Sequence, residues 1–133
     1  MDLSLELVIL PVSDVDRAKA FYVDAGFHLD VDHQTDSFRV VQLTPPGSRC
    51  SVALMHNAGA AGSVQGLHLV VTDLAAAREE LVGRGVPVGD PYHFGEQGQV
   101  AGVHPDRADF ASFAGFADPD GNGWLLQERS ARS

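Results

Sequence analysis

Basic residues are scarce in this 133-residue chain: 9 Lys and Arg stand against 18 Asp and Glu, a formal net charge of −9 at pH 7. Phosphate backbones are held by basic faces, so no nucleic-acid partner is expected. Cysteine occurs once, at Cys50, which excludes an intrachain disulfide and any Cys-rich zinc module and fits a reducing compartment. No apolar run approaches the roughly 18–20 residues that cross a bilayer. The stretch from Met1 to Glu6 has neither the basic nor the apolar region of a secretory signal. A cytoplasmic protein without a membrane partner is therefore expected. The length suits one compact domain or two small fused modules.

What the chain does contain is an internal repeat. Setting Val12 against Val71 also matches Asp14 with Asp73, Ala18 with Ala77, Val23 with Val82 and Gly26 with Gly85. Each copy opens on an apolar stretch, Leu7–Val12 and then Leu67–Val71, followed by a helix start, a helix-period stripe and a glycine. The near-continuous first run predicts a strand covered on both faces. Ser13 is placed to cap the first helix, with Asp16 completing a capping box, and Thr72 takes the corresponding place in the second copy. Val15, Ala18, Tyr22 and Ala25 form the first buried stripe, and Leu74, Ala77 and Leu81 the second. Gly26 and Gly85 end the helices.

Strand-like segments follow each helix. In the first copy they span residues 29–32, 38–43 and 50–55, the last two joined by Thr44-Pro45-Pro46-Gly47-Ser48. In the second they span 110–117 and 123–128, joined by Asp118-Pro119-Asp120-Gly121-Asn122, a proline and glycine placement suited to a tight turn. Each copy therefore reads as β-α-β-β-β. Gly47 pairs with Gly121 in this late alignment, so the second copy carries extra residues, which fall in the Gly-rich stretch between Val88 and Phe110. A connection of that length predicts either a flap over a site, about residues 89–109, or a mobile surface loop.

Tandem modules with Leu-Pro-Val-Ser-Asp-Val-Asp-Arg-Ala-Lys-Ala-Phe-Tyr (Leu10–Tyr22) near the start and Asp-Pro-Asp-Gly-Asn (Asp118–Asn122) near the end resemble the vicinal oxygen chelate superfamily. That superfamily includes glyoxalase I, bleomycin-resistance proteins, fosfomycin-resistance enzymes and extradiol dioxygenases. The resemblance runs from Leu5 to Glu128 and implies an α+β fold. Two βαβββ modules, about 5–56 and 64–128, would form a single domain with a curved mixed β-sheet cup. It also implies that two-module chains pair as homodimers. It specifies no reaction, because the same scaffold hosts lyases, transferases, oxygenases and pure binding proteins.

The resemblance further implies metal ligands at the positions occupied here by Leu7, Ser51, Gly66 and Leu125. Leucine and glycine side chains offer no electron pair, and a lone serine is a poor ligand. No metal is expected at that position; a one-residue register change would instead present Glu6 and Gln65. Side chains two residues along a strand return to the same face, which adds Ile9, Ala53, His68 and Gln127 to the cup. The expected ligand-binding set is Leu7, Ile9, Ser51, His68, Leu125 and Gln127, joined by His93 and His104 from the flap. His68 is also the candidate acid-base group, since a histidine titrates near neutral pH. Trp124 and Cys50 fall on the opposite strand face and are expected in the core.

Two functions remain open. One is a metal-free binding protein of the glyoxalase/bleomycin-resistance type, holding a small, partly apolar organic molecule. The other is a glyoxalase-like lyase or isomerase, or a dioxygenase-like enzyme, using His68 or a divalent metal held by flap residues.

Overall fold

The computed structural model describes residues 1–130. In chain order it contains β1 (Leu7–Val12), α1 (Val15–Asp24), β2 (His28–Gln34), β3 (Arg39–Thr44), β4 (Ser51–His56), β5 (Leu67–Val71), α2 (Leu74–Gly83), β6 (Tyr92–Gly95), β7 (Gly98–Ala101), β8 (Ser112–Ala117) and β9 (Gly123–Glu128). The fold is α+β, with two mixed sheets of four and five strands. Two units result: Met1–Val64 with Asp118–Asn122, and Gln65–Ala117 with the residues from Gly123 onward. Among the described residues no helix is long and apolar enough to cross a membrane.

The first unit carries the sheet β1-β4-β3-β2, in which β1 runs parallel to β4 and the other pairs are antiparallel. Strand alternation turns Leu10, Val12, Val41, Leu43, Val52 and Leu54 inward, all buried. Helix α1 packs there through Ala18 and Tyr22. Contrary to the sequence expectation, β1 is not covered on both faces: Ile9 is 57% exposed. Nor does Ser13 cap α1. Asp14 does so, its carboxylate accepting the Arg17 N–H at 3.0 Å, while the Ser13 hydroxyl and N–H both donate to Asp120. Asp73 caps α2 in the same way.

The turn Asp118–Asn122 is held by two buried side chains. Asp118 accepts the backbone N–H groups of Asp120 and Asn122 and the Tyr22 hydroxyl at 2.8 Å. The Asn122 amide donates to Asp118 at 2.9 Å and to the Pro11 carbonyl at 3.1 Å, and accepts the Val64 N–H at 3.1 Å. Sequence showed the turn; the side-chain lattice beneath it depends on contacts distant along the chain.

The second unit repeats the sheet order with one strand added, β5-β9-β8-β6-β7. The residues expected to form a loop or flap include a hairpin, β6 and β7, joined through Glu96-Gln97, with Gly98 at φ +112°. Strand β6 pairs with β8 and so takes the place that β2 holds in the first unit; β7 has no counterpart there. Helix α2 packs on β8 and β9, where Leu74, Ala114, Phe116, Trp124 and Leu126 are all buried, and the Phe116 and Trp124 rings stack at 6.0 Å, 3° from parallel. Trp124 is buried, as its parity predicted, whereas Cys50 is only half-buried.

After β7 the chain is pinned along the end of β9. Arg107 donates through Nε and Nη2 to both carboxylate oxygens of Glu128, each at 2.7 Å, and Glu128 also accepts the Leu74 N–H at 2.8 Å at the start of α2. The Arg107 guanidinium holds the Glu128 carboxyl below its ordinary range, with the Leu74 N–H assisting against the opposing effect of burial. A carboxyl whose folded pKa is depressed stabilises the fold above its unfolded value of about 4.3, and the contribution is lost as pH falls through the folded value. Glu128→Gln is expected to cost about 1.5–3 kcal/mol at pH 7 through the lost charged hydrogen bonds. Urea titrations at pH 7, 5 and 3 should show that gap narrowing with acid. Parallel stability curves would rule out this linkage.

Candidate functional site

Because Trp124, Leu126, Ala114 and Phe116 turn toward α2, their neighbours in β8 and β9 project from the other face of the sheet. The register sets these side chains in two rows. His68 lies opposite Leu125, which lies opposite Gly115. Val70 lies opposite Gln127, then Phe113, then Tyr92. Phe94, two residues along β6 from Tyr92, lies on the same face and is 60% exposed, and Val70 is 46% exposed. Among the described residues no helix of this unit covers the face, which presents hydrocarbon and aromatic surface with few polar groups.

The aromatic rings form one connected group. Tyr92 and Phe113 stack with centroids 5.7 Å apart and planes 26° from parallel. Phe94 meets Phe113 at 5.9 Å and Tyr92 at 5.7 Å, both edge to face. The His68 ring meets Phe113 at 6.4 Å, 85° from parallel. Nδ1 of His68 lies 2.7 Å from the Gly66 carbonyl oxygen. A carbonyl can only accept, so Nδ1 carries the proton and, in the neutral ring, Nε2 is left as an acceptor. Gly66 adopts φ +78°, a conformation that glycine reaches without strain. The Gln127 amide donates to the Phe110 carbonyl at 3.1 Å.

The open face of the first unit is built differently. Leu7 is paired with Ser51, and Ile9 with Ala53. The Ser51 hydroxyl, on a buried residue, lies 2.6 Å from that of Thr44, which in turn donates to Asp30, and Asp30 meets His28 Nδ1 at 2.8 Å. The Thr44 hydroxyl, and after it His28, hold the Asp30 carboxyl below its ordinary range. Asp30 follows His28 by two residues and so shares its face, and β2 carries an irregularity between Leu29 and Val31.

Of the residues singled out from sequence, His68, Leu125 and Gln127 share one face in the second unit, and Leu7, Ile9 and Ser51 share one in the first. His93 and His104 do not join His68. His93 alternates with Tyr92 and so points through the opposite face, where it is buried, donates from Nδ1 to the Gly102 carbonyl at 2.7 Å and meets His104 at 5.7 Å. His104 accepts the Asp106 N–H at Nδ1, and its own N–H donates to Ser112. The sequence reading missed Tyr92, Phe94 and Phe113. Alternation of the aromatics about His93, bounded by Gly95 and Gly98, was the signal available for two of them.

The donor chemistry at Leu7, Ser51, Gly66 and Leu125 does not fit a metal ion: only Ser51 carries a side-chain oxygen, and it is engaged by Thr44. Among the described residues, no three His, Cys, Asp or Glu side chains are gathered so as to hold one.

The sequence profile of the Glyoxalase/Bleomycin resistance protein/Dioxygenase superfamily matches residues 4–126. No curated protein matches the chain. Among solved structures, it is similar to TnmS3, an antibiotic binding protein from Streptomyces sp. CB03234, at 34% identity and TM-score 0.73, covering 98% of this chain and 99% of that one. A glyoxalase/bleomycin resistance protein from the same organism is also 34% identical, with TM-score 0.70 and coverage of 94% and 100%. A superfamily member from Sphaerobacter thermophilus is 29% identical, with TM-score 0.70 and coverage of 96% and 98%.

Proposed function

As the chain belongs to the glyoxalase/bleomycin resistance protein/dioxygenase superfamily, we propose that it binds a small, partly apolar organic molecule, of the kind an antibiotic represents, without a family metal. The observation that carries this reading is the open aromatic face of the second unit, where Tyr92, Phe113 and Phe94 lie beside Leu125, Gln127 and His68. Phe94 is exposed and Tyr92 and Phe113 are half-buried, and burying a ligand against their open edges and faces yields about 25 cal/mol per Å² before association costs. The antibiotic-binding relative, at 34% identity over nearly the whole chain, supports the same class of ligand. Leu7 and Ile9 are assigned to the contact between copies described below and not to the ligand; Ser51 is buried and engaged by Thr44, and His93 and His104, turned to the other face, are assigned no contact.

Protein purified without chelator is expected to contain no stoichiometric zinc, nickel, manganese or iron, and to bind members of a panel of aromatic antibiotics by calorimetry. Stoichiometric metal, or an absence of binding across the panel, would overturn the reading. One observation favours a catalytic alternative: the Gly66 carbonyl fixes His68 with Nε2 as acceptor, the form a general base requires. Turnover of a bound compound that is abolished in His68→Ala would establish it.

A second copy of the chain is the proposed partner. Leu3, Leu5, Leu7 and Ile9 alternate as exposed apolar residues along β1 and the segment before it, and β1 is a sheet edge. Sedimentation velocity is expected to give a dimer, and Ile9→Lys a monomer.

A further inference from the structure

We infer that His68 selects ligands by a hydrogen-bond donor: the aromatic face takes planar aromatic compounds bearing a hydroxyl or N–H, and His68 Nε2 accepts that proton. The inference rests on the proposed binding function and deepens it.

Three observations lead to it. Nδ1 of His68 is committed as a donor to the Gly66 carbonyl at 2.7 Å, which fixes the neutral tautomer and leaves Nε2 with a lone pair on an exposed side chain. Second, the ring beside His68 is Phe113, which carries Tyr92 stacked upon it and Phe94 at its edge, so an incoming planar ring meets faces and edges in both orientations that aromatic pairs favour. Third, Phe113 and His68 stand side by side on this face with Leu125 and Gly115 next to them, and Gly115 adds no side chain of its own beyond Leu125, whose Cδ2 lies 3.3 Å from where a Gly115 Cβ would stand. A flat ring laid over Phe113 therefore has the adjoining imidazole at its edge. The remaining polar groups of this face are the Tyr92 hydroxyl and the Gln127 amide, whose N–H already donates to Phe110. An aromatic compound with no donor satisfies the rings but leaves Nε2 without a partner once water is displaced, and a buried acceptor left unpaired weakens binding.

A matched pair of probes tests this: 2-naphthol, and 2-methoxynaphthalene, in which the hydroxyl proton is replaced by methyl. Calorimetry on the full chain at pH 8 is expected to give about tenfold tighter binding of 2-naphthol. His68→Phe, which keeps a ring but removes the acceptor, should abolish the preference, and His68→Gln should restore part of it. Phe113→Ala should weaken both probes by a similar factor while leaving the preference intact. Circular dichroism of each variant checks the fold; because His68 is exposed, its substitutions are expected to fold normally. Equal affinity for the two probes in the wild-type chain, or a preference that survives in His68→Phe, overturns the assignment to His68 while leaving the binding function standing. Unchanged affinities in Phe113→Ala overturn the aromatic site. Failure of both probes to bind overturns the ligand reading of this face together with the inference.

Discussion

Asn122→Ala is expected to destabilise the protein by about 3–4 kcal/mol, lowering the thermal midpoint by about 10–15 °C. Asn122 is fully buried, and its amide is used at both ends: Nδ2 donates to Asp118 and to the Pro11 carbonyl, and Oδ1 accepts the Val64 N–H. Truncation removes every one of these partners at once. Each buried polar group left without a partner costs about 1–3 kcal/mol, and the vacated space is a small cavity. The Asp118 carboxylate would keep Tyr22 and two backbone donors, so the turn loses only part of its support. Tyr22→Phe, which removes a single hydroxyl and preserves the ring packing, should therefore cost only about 1 kcal/mol. Urea denaturation of the two variants checks both values. A loss below 1 kcal/mol for Asn122→Ala would mean that water enters and replaces the amide.

The contrast between Asn122 and its surroundings shows what a sequence can carry. The turn was legible because proline and glycine at fixed offsets constrain φ locally. That Asn122 and Asp118 bind Pro11, Tyr22 and Val64 was not, since nothing local encodes those partners. Strand β5 and the two helices were readable from periodicity, and β9 from its alternation. The first cap was misread by one residue because Ser13 and Asp14 are both good caps; Asp120, distant in sequence, takes the serine hydroxyl and leaves Asp14 for the helix. The β6–β7 hairpin was hidden by its glycines and by its short strands of four residues each. For the candidate site, alternation put His68, Leu125 and Gln127 on one face, but only the pairing of β6 with β8 brings Tyr92 beside Phe113. Likewise, apolar composition alone could not distinguish a β1 covered on both sides from one with Leu7 and Ile9 exposed.

Gly115→Leu is expected to reduce 2-naphthol affinity at least 100-fold while changing stability by no more than about 1 kcal/mol. The residue is central to β8 and its carbonyl accepts the Gly89 N–H at 2.8 Å, an interaction that a side chain does not disturb. Its φ lies outside the left-handed region, so an L-residue is accommodated by the backbone. An added Cβ would meet Leu125 Cδ2 at 3.3 Å and the Trp124 carbonyl at 3.5 Å; the former is the end of a half-buried side chain that can turn aside. Replacing glycine in a strand also removes conformational entropy from the unfolded chain, which offsets part of that crowding. The rest of the leucine side chain has to extend over the face beside Phe113 and Leu125, against which the ring of the ligand is inferred to rest. Gly115→Ala adds one methyl and should cost several-fold, giving a graded series in which occlusion rather than unfolding sets the loss. Binding measured by calorimetry alongside urea midpoints separates the two causes. Full affinity in the leucine variant, with the fold intact, would place the ligand elsewhere on the protein, whereas loss of binding that tracks loss of stability across the series would point to a structural role for the glycine.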